Sequence, residues 1–96
     1  MELFIFARFH ARAGQEAAVA AMLREEVGQS RAEPGCLAHR AYQSVRDPRL
    51  FWIHSHWIDD AAFEVHAQLP HTVRFLERVV PMIDHPLDVT RARPLE

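Results

Sequence analysis

Cys36-Leu37-Ala38-His39-Arg40-Ala41-Tyr42-Gln43-Ser44 and Leu50-Phe51-Trp52-Ile53-His54-Ser55-His56-Trp57 decide the fold of this chain. Each block is a strand-length run without Gly or Pro. The link between them holds Arg46-Asp47-Pro48-Arg49, whose Asp-Pro pair initiates a turn. So short a link makes the two strands an antiparallel hairpin. Everything else is placed relative to that hairpin.

Upstream, Glu33-Pro34-Gly35 stops a helix that begins near Gln15 and runs to about Ala32, with Val19, Met22, Leu23 and Val27 at helical spacing. Before it, Leu3 to His10 is an unbroken apolar and aromatic run that reads as a strand, followed by the breaker Ala13-Gly14. Downstream, Asp59 is an N-cap for a helix from Asp60 to about Gln68. Leu69-Pro70 interrupts it, and a further helix is expected from about His71 to Ile83. Leu87 to Arg93 supplies a last, shorter strand.

The order is β-α-β-β-α-β with the second helix broken in two, the α+β ferredoxin-like split motif, its helices on one face of an antiparallel sheet. A sheet with one wet face should alternate apolar and polar residues. Here Leu3-Phe4-Ile5-Phe6 and Phe51-Trp52-Ile53 run without alternation. Both faces therefore call for cover, and a second copy of the chain is the economical source for the face the helices leave open. A homodimer is expected, with Phe4, Phe6 and Trp52 in an interface of more than ~1,200 Å².

The chain has 96 residues, which suits a single domain over 1–96. Its formal charge is −2 with both signs interspersed, which argues against a nucleic-acid partner. All eleven basic residues are Arg, so Schiff-base and lysine-base chemistry are excluded. The single cysteine, Cys36, precludes an intrachain disulfide and a cysteine-based zinc site. The N-terminus does not read as a signal peptide and no run approaches the ~20 apolar residues of a membrane span, so no membrane association and a cytoplasmic location are expected.

Seven histidines are the chemical resource of this sequence. His54 and His56 project from one face of a strand, where two imidazoles could share a metal, with His39 as third ligand in one pairing register only. The blander reading puts them at the sheet–sheet interface, and no metal is assigned. Trp57, Phe63, His66 and His71 form a second group, in which one indole and two imidazoles can meet at a pocket mouth. His71 lies near a helix N-terminus, whose dipole would keep its ring neutral and fit to act as a base. His66 and His71 are the candidate catalytic residues. Asp59-Asp60, Glu25-Glu26 and Asp84 read as caps or solvated faces. No phosphate loop, nucleophile triad or cofactor fingerprint is present.

Phe6-Ala7-Arg8-Phe9, Gly14, Arg31-Ala32-Glu33-Pro34-Gly35-Cys36, Trp57 and His66-x-x-x-Pro70-His71 together resemble the antibiotic biosynthesis monooxygenase family, over nearly the whole chain. The resemblance implies a dimeric ferredoxin-like α+β barrel and a substrate pocket between sheet and helices. It implies, in some members, oxidation of polyphenols or quinols by O2 without a cofactor. It also places Ala7, Ile53, Ser55, Trp57 and Phe63 at substrate-binding positions. At several of these the chain departs from its relatives: Ala7 and Ile53 stand where some branches carry Asn, Phe63 where others carry Tyr, and Ser55 where many carry Glu. Leu76 falls near the position of the haem-ligating histidine of the haem-degrading branch. The expected function is cofactor-free monooxygenation of a small phenolic or quinol-like molecule. The alternatives are isomerisation of a small oxygenated metabolite, with His66 and His71 as acid and base and Arg8, Arg40 or Arg74 as anchor, and a dimeric ligand-binding module without turnover.

Overall fold

The computed structural model describes residues 1–96. Strand β1 spans Leu3–His10, helix α1 Glu16–Ser30, β2 Cys36–Gln43, β3 Leu50–Trp57, α2 Asp60–Gln68, α3 Pro70–Val79 and β4 Asp88–Ala92. The four strands form one antiparallel sheet in the order β2-β3-β1-β4, the ferredoxin-like arrangement. No helix is long and apolar enough to cross a membrane.

The element ends differ from the sequence expectation by local chemistry. Pro70 is the first residue of α3 rather than the break before it, because a missing N–H costs nothing in the first helical turn. The break falls on Leu69, extended at φ −67°, ψ 146°, as a residue before proline prefers. At the far end, Pro81 converts the expected last turns into a short 3₁₀ segment, Val80–Met82. Asp59 caps α2 as expected, its Oδ1 accepting from the Ala62 N–H at 2.8 Å.

Burial alternates along β1 more strictly than its composition does. Leu3, Ile5, Ala7 and Phe9 are buried against the helices, whereas Phe4 is half-buried and Phe6 exposed on the other face. In β3, Phe51, Ile53, Ser55 and Trp57 are the buried set. Val19, Met22 and Leu23 of α1 and Phe75 and Val79 of α3 complete the main core. The strand register aligns His39, Ser55 and Ile5 in one cross-strand row on this helix-facing side.

Two glycines set the connections. Gly14, at φ +84°, makes a left-handed turn before α1 that a side chain would strain. Gly35 allows a close approach: a Cβ there would stand 2.4 Å from the Ala62 Cβ. The α1–β2 loop thus lies directly against α2, and the Ile58 N–H donates to the Gly35 carbonyl at 3.0 Å. That contact brings Glu33 to the histidines of the next two helices.

Candidate active site

Between the sheet and α2–α3 lies a cavity of about 240 Å³. Ile5, Ala7, Ile53, Phe63, Leu76 and Val89 contribute to its apolar wall. Its polar wall is made of Glu26, His39, Ser55, His66 and Thr72, drawn from α1, β2, β3, α2 and α3. This composition, apolar with a few convergent polar groups, is that of a small-molecule site.

Of the residues singled out from sequence, Ala7, Ile53, Ser55, Phe63 and His66 line this cavity, and Trp57 and His71 do not. Trp57 is fully buried behind the wall, its indole N–H donating to Ser55 Oγ at 2.9 Å. Its ring supports His66 at a centroid distance of 4.5 Å and Phe63 at 5.8 Å. It therefore fixes the cavity's histidine instead of standing at the mouth.

His71 departs further from expectation. Its Nδ1 lies 2.8 Å from Glu26 Oε1 and its Nε2 2.8 Å from Glu33 Oε2. Carboxylate oxygens only accept, so the ring donates from both nitrogens and is an imidazolium. Burial opposes the charge, but the hydrogen bonds to Glu26 and Glu33 outweigh it and raise the His71 pKa. The helix-terminus argument for a neutral ring fails because two carboxylates sit closer than the dipole.

His66 is buried and its Nδ1 lies 2.8 Å from Glu33 Oε2. The Glu33 carboxylate can only accept, so Nδ1 carries a proton, and Nε2 stands 3.9 Å from Glu26 Oε2, beyond a direct hydrogen bond. Glu26 is itself buried, with Ser30 Oγ donating to Oε2 at 3.4 Å; burial raises its pKa despite the hydrogen bond from His71. Its sequence reading as a solvated face is corrected by the inward turn of α1. Glu33, read from sequence only as a helix terminator, is the carboxylate shared by both histidines. Neither carboxylate gives a spacing signal, because they meet only where a loop and three helices converge.

His39 is the third histidine of the site. It is buried, its Nδ1 has no hydrogen-bond partner, and burial, with the neighbouring His66, Arg31 and His71, lowers its pKa to about 4. It therefore lines the cavity as a neutral ring whose buried Nδ1 is left without a partner. It faces away from His54 and His56, which pair with Arg40 and Ala38 on the opposite face, so the three cannot share a metal. There His56 stacks on Phe4 and pairs with Glu2, and His54 packs against Phe6.

Glu26, His66 and His71 bring one potential ligand atom each within 4.8 Å of the others, as do His10, Asp84 and His85 at the opposite end of β1. Both nitrogens of His71 point at carboxylate oxygens, which makes the first group an ion-paired hydrogen-bond network. In the second, Asp84 accepts from His10, Arg49 and His85, and the bond from His10 holds its carboxyl well below the usual range. Asp84 is exposed, as its sequence suggests, and also ties the segment before β4 to β1.

The fold is that of an α+β ferredoxin-like protein with a half-open cavity between its sheet and helices. Residues 3–78 match the family described as antibiotic biosynthesis monooxygenase, and the chain belongs to that family. Among solved structures it is similar to PA3566 from Pseudomonas aeruginosa, with 32% identity, a TM-score of 0.91, and coverage of 99% of this chain and 95% of that one. Rv0793 from Mycobacterium tuberculosis is 25% identical at a TM-score of 0.93, covering 100% of this chain and 97% of that one. A crystal structure of an antibiotic biosynthesis monooxygenase shares the fold at 24% identity and a TM-score of 0.92, covering 98% of this chain and 99% of that one. No curated protein sequence matches the chain.

Proposed function

We propose that residues 1–96 act as one domain that oxidises a small phenolic or quinol-like molecule with O2 and without a cofactor. One observation carries this reading: the apolar cavity ends on His66, whose Nδ1 is held by Glu33 at 2.8 Å while its Nε2 makes no hydrogen bond within the protein. In this reading the substrate ring lies against Ile53, Phe63 and Ala7, with a hydroxyl directed at the polar wall. His66 Nε2 removes the hydroxyl proton as general base, Glu33 orients the ring, and His39 Nδ1 hydrogen-bonds a second polar group. The resulting electron-rich anion reduces O2 itself, so the protein supplies binding, deprotonation and exclusion of water. His71, one of the two catalytic candidates, acts only through the carboxylates it bridges.

The isomerase alternative is less well supported. Arg8 and Arg40 are exposed on the sheet and Arg74 lies outside the cavity, so none of its proposed anchors reaches the polar wall. Two copies are proposed to pack sheet to sheet through Phe4, Phe6 and Trp52. The working location is the cytoplasm, where the one thiol, Cys36, stays reduced.

O2 uptake by purified, metal-free protein across a panel of quinols and polyphenols tests the activity. Consumption above buffer that His66→Ala removes is expected. No consumption with any compound refutes the oxygenase reading, and a bound but unchanged quinol would assign the chain to ligand binding.

A further inference from the structure

A base in the cavity must lose the proton it takes, to the reduced oxygen or to solvent, before it can act again. Glu26 is the residue in position to take it. Its side chain borders the cavity on one side and, on the other, an outer groove between α1 and α3 lined also by Glu25, Gln29, His71, Arg74 and Arg78. The groove leaves about 10 Å³, room for a single water. Oε2 of Glu26 lies 3.9 Å from His66 Nε2, while Oε1 is held by His71 at 2.8 Å.

We propose that Glu26 carries protons between the cavity and the outer groove, with His71 as the residue that positions it. The inference rests on the reading of His66 as the cavity's base. The substrate hydroxyl proton goes to His66 Nε2, giving an imidazolium whose Nδ1–H remains on Glu33. The Nε2 proton passes to Glu26 Oε2, which regenerates the base and leaves Glu26 as a carboxylic acid. Glu26 then releases it to the water in the groove. One proton moves from substrate to solvent, and both residues return to their starting states.

The charged surroundings suit that role. On the cavity side stand His39 and His66, and Arg31 donates to the His39 carbonyl. On the groove side Glu25 pairs with Arg78 at 3.7 Å, and Arg74 stands beside it. Burial holds the Glu26 carboxyl above its ordinary proton affinity, which brings it closer to that of an imidazole. A carboxyl bordering both compartments can take a proton on one side and release it on the other.

The first test needs no substrate. Exchange of the His66 Nε2 proton with water is measured by NMR on histidine-labelled protein, at one fixed pH low enough to put a proton on that nitrogen. Glu26→Gln should slow it at least tenfold, with an unchanged amide spectrum as the folding control. Glu26→Asp, which keeps the carboxylate on a shorter stem, should fall between. Equal exchange in wild type and Glu26→Gln overturns the proposal. The second test applies to any compound that is turned over. Glu26→Ala should lower kcat tenfold or more with KM within twofold, and added formate should restore it. Lost activity that formate does not restore, with unchanged His66 exchange, also overturns it. Absence of O2 uptake in the wild type would refute the oxygenase reading alone, since the exchange measurement still decides the proton route.

Discussion

Replacing His71 with Ala removes the cation between two carboxylates, and the structure sets the size and pH dependence of the loss. The side chains of His71, Glu26 and Glu33 are 17%, 4% and 11% exposed, so solvent does little to screen their contacts. Two charge-assisted hydrogen bonds disappear, each worth about 1.5–3 kcal/mol. Relaxation offsets part of this: Glu26, already of raised pKa, can take up a proton, and Glu33 keeps His66. The net destabilisation near pH 6 should be about 2–4 kcal/mol, lowering the thermal midpoint by at least ~10 °C in a domain of this size.

The pH dependence has a defined sign. The folded-state pKa of His71 is raised above its ordinary 6.5, so its contribution is fully present below that value and is lost as pH rises through the folded pKa. At the acid end the carboxylates protonate and the contribution falls again. The difference between wild type and His71→Ala should therefore be largest between about pH 5 and 6.5 and shrink towards pH 9. Urea unfolding of both proteins, at one fixed protein concentration, measures it across that range. A difference below about 0.5 kcal/mol at pH 6, within the scatter of surface substitutions, or one independent of pH, would refute the account of His71 as a bridging imidazolium.

Trp52→Glu places a charge on the half-buried sheet face proposed to meet a second copy, at a cost of several kcal/mol if water is excluded there. Sedimentation should show a wild-type dimer and a monomeric or aggregated variant; a well-folded wild-type monomer at micromolar concentration would refute the dimer. Gly35→Ala would set a methyl group 2.4 Å from the Ala62 Cβ and should destabilise by about 1–3 kcal/mol. Combined with Ala62→Gly, it should show a favourable coupling of at least about 0.5 kcal/mol, and strict additivity would count against the contact. Ala7→Leu extends a side chain into the cavity, so it should change stability by less than about 1.5 kcal/mol while abolishing quinol binding by calorimetry; unchanged binding would place the ligand elsewhere.

The order of elements was legible along the chain because each end is punctuated by local chemistry. Asp47-Pro48, Glu33-Pro34-Gly35, Asp59 and Leu69-Pro70 act on their own backbone within a few residues, so reading them requires no partner. Element order and hydrophobic runs then leave few topologies, and the sheet order β2-β3-β1-β4 is the one realised. Family-level positions on the inward face, Ala7, Ile53, Ser55, Phe63 and His66, also reached the cavity, because a strand's period of two and a helix's of 3.6 decide which way a residue points. The charge state of the site was not legible in this way. Glu26 follows Glu25 in a helix, and Glu33 is part of a turn; nothing local tells a buried carboxylate from a solvated one. Only when Gly35 lets the loop close on Ala62, and α1 meets α3, do both carboxylates fall within 2.8 Å of His71, reversing the protonation its helix position suggests. Ionisation depends on every charge and every shielding atom within several ångströms, and those neighbours come from distant parts of the sequence that only the tertiary structure brings together.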